Sequence, residues 1–312
     1  MYKPMKPCIS YYGGKQRMAS KIIPLIPQHT VYVEPFCGGA TLLFRKPWPK
    51  VTNTHHYREV LNDNDKRLTN FYRILRGIEG RELVNRLNLT LYNEEEYRIA
   101  KEILNKGGLG IEGAWAYFVS IMQSFSNKLN AGWGRSVFSY NGVMAWRNKI
   151  RNLAEYLDRI SYVHIACTDA LKCIDQWDSP QTFFYCDPPY PKANQGHYSG
   201  YSQENFEALV SKLSSIQGSF LLSCYDNSFV PKHWEKFEFK SYCSSSSKGQ
   251  IGADRSRKAT VEELGNRKRM EVVWRRFNRV EVRSEIQKLY DSGKFDCFVP
   301  KPAIFDEIFD YM

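Results

Sequence analysis

The sequence has no Cys-x-x-Cys pair, no unbroken apolar run of about eighteen residues, no excess of acid and no internal repeat. Each absence removes a class of protein. The eight cysteines (Cys8, Cys37, Cys167, Cys173, Cys186, Cys224, Cys243 and Cys297) and six histidines fall in no metal-ligand spacing, which argues against a zinc site. Several cysteines close strand-like apolar runs, as Cys186 and Cys224 do, and read as buried reduced thiols. Without a long apolar run there is no candidate membrane helix. The basic residues near Met1 are followed by no apolar stretch, so secretion is not expected and a cytoplasmic location is.

What is present is a globular composition with a basic bias. Apolar residues make up 43% and charged residues 25% of 312, too much core-forming material for a disordered chain. That length suits one large α/β domain carrying an insertion, or two domains. Lys and Arg number 44 against 33 Asp and Glu, a net charge of +11 that favours polyanionic partners. The bias is concentrated. Between Tyr242 and Arg279 there are ten Lys/Arg and four Asp/Glu, a net +6, in a Ser-rich stretch that reads as a basic loop.

Short apolar runs recur, each ending in a polar or Gly/Pro-rich corner. Val31–Val33 precedes Glu34-Pro35-Phe36-Cys37-Gly38-Gly39, and Glu59–Leu61 ends at Asn62-Asp63. Tyr162–Ala166 ends near Asp169, Thr182–Cys186 enters Asp187-Pro188-Pro189-Tyr190, and Ser219–Ser223 ends at Tyr225-Asp226. Helical spacing lies between them, at Gly39–Phe44, Asp65–Arg76 and Glu204–Ile216, and Glu271–Trp274 reads as a last strand. Strands alternating with helices predict a doubly wound, mostly parallel sheet with its ligands at the carboxyl ends of the strands. The rhythm stops from about residue 77 to 160. Helical stretches at Arg81–Leu104 and Ala114–Gln123, then a segment rich in Asn, Gly and aromatics, predict a mainly helical inserted subdomain. The expected division is residues 1–76 and 161–274 as one domain, 77–160 as the insertion, and 275–312 as an extension without an assigned role.

Three corners carry chemistry. The strand, acid and paired glycines at Val33–Gly39 let backbone approach a ligand before a helix starts, or make an ordinary tight turn. Asp63, 25 residues after Gly38, suits either ribose hydroxyls or a helix N-cap. In Asp187-Pro188-Pro189-Tyr190, two prolines remove two N–H donors and leave a carboxylate and carbonyls, all acceptors. An amine with two N–H groups complements them, and Tyr190 offers a face on which a planar base can stack.

These motifs, with Tyr12-Gly13-Gly14-Lys15 ahead of them, occur in an order that resembles the Dam-type DNA N6-adenine methyltransferases over about residues 8–274. The resemblance implies a Rossmann-like methyltransferase fold and S-adenosylmethionine as cofactor. It implies double-stranded DNA as partner, an extruded adenine as the methylated base, and no catalytic metal. By the same resemblance Tyr11 and Lys15 meet the methionine end of the cofactor, Glu34, Phe36, Cys37 and Gly38 wrap it, and Asp63 binds its ribose. The corner at Ala166 and Cys167 then lies near its adenine ring, with Asp169 either a neighbour or a cap. Asp187 and the Pro188 carbonyl hold the target amine, Tyr190 stacks on the base, and Tyr198 or Tyr201 lines the pocket. The insertion lacks the Asn-Gly-x-x-Arg-x-Asn segment of the best-known members, so no recognition sequence follows. Lys128, Asn130, Trp133, Arg135 and Asn141 are candidate base or backbone contacts there, and Arg255, Arg257 and Lys258 candidate phosphate contacts. Two alternatives stay open: N4-cytosine methylation, which more often uses Ser in place of Asp187, and RNA or protein-amide methylation, which tends to Asn. A monomer is expected, and a cognate restriction endonuclease is not implied by the sequence.

Overall fold

The computed structural model describes residues 4–11, 13–47, 57–129, 131–135, 142–190, 201–225, 228–242 and 268–277. Among these residues the centre is a seven-stranded sheet. Its strands are β1 (Val31–Glu34), β2 (Arg58–Asn62), β3 (Val163–Ala166), β4 (Thr182–Cys186), β5 (Ser219–Cys224), β6 (Glu235–Tyr242) and β7 (Lys268–Arg276), in the spatial order β3-β2-β1-β4-β5-β7-β6. The pairs β3–β2, β2–β1, β1–β4 and β4–β5 are parallel, and β5–β7 and β7–β6 are antiparallel. The chain winds outward from β1 in one direction and from β4 in the other. The crevice at this reversal lies beside the carboxyl ends of β1 and β4, where an open α/β sheet binds its ligand. This is the doubly wound, mostly parallel sheet expected from the strand rhythm.

Both faces of the sheet are covered, which is why its central strands β1, β4 and β5 are buried throughout and mostly apolar rather than alternating. In β4, Phe183 and Tyr185 join one core with Tyr32, Leu61, Leu221 and Val273. Phe184 and Cys186 join another with Val33, Val60, Leu222 and Trp274. The first core is filled by Phe71 and Tyr72 of the helix Lys66–Arg76 and by Tyr117 and Phe118 of the helix Gly110–Met122; the second by Phe206, Leu209 and Leu213 of the helix Gln203–Ser215.

Among the described residues, the region between β2 and β3 contains five α-helices after Lys66–Arg76: Gly80–Leu89, Glu94–Asn105, Gly110–Met122, Gly142–Arg151 and Glu155–Ser161. The helix read as continuous over Arg81–Leu104 is in fact two. Asn93 starts the second by accepting from the Glu96 N–H at 2.7 Å, and Glu94, Glu95 and Glu96 lie at the positive end of its dipole. The last of the five is anchored to the sheet by Arg159, which is fully buried. Its Nη1 donates to Glu59 Oε2 at 2.5 Å and its Nη2 to Glu59 Oε1 at 2.9 Å, while Lys46 also pairs with Glu59. Burial alone would raise the Glu59 carboxyl; Arg159 and Lys46 outweigh it and hold it down at about 2. Strand β6 has no counterpart in the sequence reading, although Phe237 and Phe239 alternate with charged residues as an edge strand requires. Strand β7 also runs past the expected Trp274 to Arg276.

No helix among the described residues is long and apolar enough to cross a membrane.

Candidate active site

The strand-end corners converge on a cleft of about 390 Å³. Pro35 and Phe36 line it from the β1 corner, Asp63, Asn64 and Asp65 from β2, Asp169, Ala170 and Leu171 from β3, and Pro189 from β4. Tyr11 lies on one wall and Tyr201 and Asn205 on another, and Tyr117, Ile121, Asn127 and Leu129 close the side belonging to the long region before β3. Its size and mixed lining suit a nucleoside-sized ligand.

The β1 corner is built tightly. Gly38 has φ +44° and Ala40 φ +49°, both left-handed. A Cβ at Gly38 would lie 3.1 Å from the Tyr11 ring, and one at Gly39 would lie 2.9 Å from Tyr11 Cβ. The paired glycines, read in the sequence as room for a ligand, thus admit the Tyr11 side chain against the turn. Tyr72, fully buried, donates to the Gly38 carbonyl at 2.9 Å. Phe36 faces the cleft with its ring edge-on to Tyr201 at 6.0 Å. Cys37 is buried, and its N–H donates to the Asn62 carbonyl. Glu34 is buried beneath this corner, accepting from Tyr32 Oη at 2.8 Å and the Leu43 N–H at 2.9 Å; it does not line the cleft. Burial pushes its carboxyl up to about 8, further than those donors pull it down.

Asp63 does line the cleft, and it also holds the corners together. Its Oδ2 accepts from the Gly38 N–H at 3.1 Å and its Oδ1 from the Asp65 N–H at 3.0 Å. Burial raises it to about 6, against the pull of those two backbone donors. The helix that follows is capped by Asp65, not Asp63: its carboxylate accepts from the Arg67 N–H. Asp169 caps the helix Ala170–Trp177, accepting from Leu171 and Lys172 N–H groups, and lines the cleft as well. Cys167 is solvent-exposed; from this corner it is residues 169–171 that face the cleft.

A residue not singled out in the sequence connects three corners. Asn62, fully buried at the end of β2, donates from Nδ2 to the Pro35 and Thr168 carbonyls, both at 3.0 Å. Its Oδ1 accepts from the Thr168 N–H at 3.0 Å. Both amide protons and the carbonyl are thereby used, and the side chain extends the sheet one step beyond the last backbone pairs. Its signal was only its place before Asp63.

At β4 the turn Asp187-Pro188-Pro189-Tyr190 meets the N-terminal segment. Lys15, 8% exposed, puts Nζ 2.7 and 2.8 Å from the two Asp187 oxygens and 5.0 Å from the Tyr190 ring centre. Tyr190 Oη donates to Asp187 Oδ1 at 3.3 Å, and the ring meets Tyr225 edge-on at 4.6 Å. Pro188 is buried. Asp187, Pro188, Tyr190 and Lys15 thus form one cluster. Tyr11, Phe36 and Asp63 line the adjoining cleft, while Glu34, Cys37 and Gly38 support its floor.

Of the candidate DNA contacts, Lys128, Trp133 and Arg135 are among the described residues, and none of the three lines the cleft. Ser124 and Trp133 form an isolated antiparallel bridge closing a compact loop. Tyr97 donates to the Ala131 carbonyl, Tyr92 to the Gly134 carbonyl, and Lys101 to the Leu129 carbonyl at 2.6 Å, fastening the loop to the helix Glu94–Asn105 and its approach. Trp133 packs on Tyr92 with ring centres 5.8 Å apart, Lys128 is half-buried and Arg135 is exposed. Asn130, Asn141, Tyr198, Arg255, Arg257 and Lys258 lie outside the described residues.

Residues 11–243 match the family model of the D12 class N6 adenine-specific DNA methyltransferases. The chain is 23% identical over 273 residues to the type II methyltransferase M.MjaIII of Methanocaldococcus jannaschii, an alignment that covers 76% of this chain and 90% of that protein. It is 24% identical over 208 residues to the DNA N-6-adenine-methyltransferase of Escherichia phage P1, covering 62% of this chain and 25% of that one. With the modification methylase StsI of Streptococcus sanguinis it shares 22% identity over 204 residues, 60% of this chain and 29% of that protein. A match spanning both the glycine turn and the Asp-Pro-Pro-Tyr corner places the chain in the D12 class of N6 adenine-specific DNA methyltransferases.

Proposed function

We propose that the protein methylates N6 of an adenine extruded from double-stranded DNA, with Asp187 and the Pro188 carbonyl holding the amine and the adjoining cleft holding S-adenosylmethionine. The observation that carries this reading is the adjacency of an acceptor-only corner to a nucleoside-sized cleft with a buried acid, Asp63, on its wall. The Asp63 carboxylate accepts from backbone N–H groups at both oxygens and keeps lone-pair capacity toward the cleft, which suits ribose hydroxyls. Phe36, Tyr11 and Leu171 supply the apolar surface that a purine ring and a thioether chain need.

S-adenosylmethionine supplies an electrophilic methyl group on a sulfonium centre. The chain does the rest by position. A base stacked in a duplex cannot reach the cleft, so extrusion precedes chemistry at a cost of a few kcal/mol. Tyr190 then stacks on the freed base. Asp187 and the Pro188 carbonyl accept from the two amine hydrogens, which directs the nitrogen lone pair toward the methyl group. Pro188 and Pro189 keep competing N–H donors away from that corner. Lys15 pairs with both Asp187 oxygens and fixes the direction in which the carboxylate faces. Catalysis is therefore orientation and electrostatics without a covalent intermediate on the protein.

Residues 77–160 serve in this reading as the DNA-recognition unit, with Lys128 in its bridged loop, Trp133 at the bridge and Arg135 just beyond it. Transfer of labelled methyl from the cofactor to duplex DNA, single-stranded DNA, RNA and protein tests the substrate class. Preferential labelling of duplex DNA is expected; labelling of RNA or protein alone would refute the reading.

A further inference from the structure

The cleft is unevenly charged. Of the described residues that line it, Asp63, Asp65 and Asp169 are acidic and Arg67 alone is basic. Lys15 is not part of this lining; its ammonium lies on the two Asp187 oxygens. S-adenosylmethionine carries a sulfonium, an ammonium and a carboxylate, so an acid-rich wall with a single cation complements its charges. Its carboxylate loses water on entering the cleft and needs a charged donor in exchange.

Arg67 stands in the first turn of the helix Lys66–Arg76. Its Nε donates to Asp65 Oδ1 and its Nη2 to Asp65 Oδ2, both at 2.9 Å. This fork fixes the plane of the guanidinium and spends two of its five N–H groups. The outer edge, made by Nη1 and the second Nη2 proton, has no protein partner among the described residues. Such an edge matches a carboxylate through two parallel hydrogen bonds. The side chain is 40% exposed, so a ligand in the cleft can reach it.

The course of the cleft favours the same pairing. Phe36 and Leu171 of its lining pack on one core of the sheet, while Tyr11, Tyr117 and Ile121 belong to the other. The cleft therefore crosses the strand ends from one face to the other, past Asp63 at the end of β2. A purine against Phe36 and Leu171, with its ribose at Asp63, leaves the amino-acid arm to run along the face of Tyr11 and Arg67.

We infer that Arg67 binds the carboxylate of the cofactor's amino-acid arm, through the guanidinium edge that Asp65 leaves open. Asp65 is then a positioning residue that aims the guanidinium. The inference rests on the assignment of the cleft to S-adenosylmethionine made under the proposed function.

Titration calorimetry on the full-length protein tests it with two ligands. S-adenosylhomocysteine has the amino-acid arm, and 5′-methylthioadenosine keeps the adenosine and the sulfur but lacks the arm. Arg67→Ala retains the backbone N–H that Asp65 caps, so thermal melting should show the fold kept. It should bind S-adenosylhomocysteine about tenfold more weakly or worse, as for loss of a charged hydrogen-bond pair. Its affinity for 5′-methylthioadenosine should stay within about twofold of wild type. Arg67→Lys, which keeps the charge without the fork, should lose less and again on S-adenosylhomocysteine alone; it carries the comparison if Arg67→Ala melts early. Wild-type affinity for S-adenosylhomocysteine in both variants, or equal weakening of both ligands, would overturn the inference. So would a loss confined to duplex DNA, which would make Arg67 a phosphate contact. If the wild-type protein bound neither adenosine ligand, the assignment of the cleft itself would fail and the inference with it.

Discussion

Lys15 and Asp187, 172 residues apart in the chain, form an ion pair in which one ammonium bridges both carboxylate oxygens at 2.7 and 2.8 Å. The pair ties the N-terminal segment to the end of β4 and fixes the direction in which the carboxylate faces. Replacing Lys15 by Ala strands a partly buried negative charge, because the Asp187 side chain is only 20% exposed. Breaking a buried pair costs about 3–5 kcal/mol, and some residual hydration of Asp187 brings the expected loss toward the lower figure. Denaturant unfolding should show this loss for Lys15→Ala and a smaller one for Lys15→Ala/Asp187→Ala, where no charge is stranded. A double variant less stable than the single one would contradict the pairing.

Asn62 holds the carbonyls of Pro35 and Thr168 and the N–H of Thr168 at 3.0 Å each. Asn62→Ala leaves these backbone groups buried without that partner, at about 1–3 kcal/mol for each unsatisfied group, and releases two corners of the proposed cofactor cleft from each other. Cofactor affinity should drop by about tenfold or more, along with a lower melting temperature. A dissociation constant for S-adenosylhomocysteine unchanged from wild type would show that the corners keep their places without Asn62.

Two buried acids contribute to the pH dependence. Glu34 is raised by burial from 4.5 to about 8 and Asp63 from 3.8 to about 6. A carboxyl whose folded pKa is raised favours the folded state most below its unfolded value, and that contribution is lost as pH rises through the folded one. Stability should therefore decline from about pH 4.5 to 8 through Glu34, and Glu34→Gln should flatten that slope by up to about one proton. Ligand binding at Asp63 runs the other way: ribose hydroxyls donate to the ionised form, so cofactor affinity should weaken as pH falls below about 6. Asp63→Asn should bind weakly at every pH. A wild-type affinity that is flat between pH 5 and 8, by titration calorimetry, would argue against Asp63 as the ribose ligand.

How much of this was legible in the sequence depends on whether a residue acts locally or across the chain. The Asp187–Tyr190 corner, the Gly38–Gly39 turn and Asp63 were visible because strand, turn and helix signals lie next to one another. The split at Asn93 was equally local, an N-cap followed by three glutamates, and was hidden only by the helical spacing on both sides. Asn62 could not be singled out in this way. It is an ordinary polar residue at a strand end whose partners come from register: Thr168 lies 106 residues from Asn62. The neighbours of the glycines were likewise hidden, since only the fold brings Tyr11 against Gly38.

That contact gives a further prediction. Gly38 combines φ +44° with a Cβ direction 3.1 Å from the Tyr11 ring. Gly38→Ala imposes left-handed strain of about 1–2 kcal/mol and pushes the ring off the turn. Because Tyr11 lines the cleft, cofactor binding should weaken together with stability. Normal cofactor affinity in Gly38→Ala would mean that the Tyr11 ring does not shape the cleft.

The assignment of Asp187 to an adenine amine is tested most directly by mass spectrometry of nucleosides from digested DNA after incubation with S-adenosylmethionine and either the wild-type protein or Asp187→Ala. Wild type is expected to yield N6-methyladenine, and Asp187→Ala at least about a hundredfold less, as for loss of one key electrostatic group, while still binding cofactor. N4-methylcytosine without N6-methyladenine from the wild type, or substantial N6-methyladenine from Asp187→Ala, would contradict it.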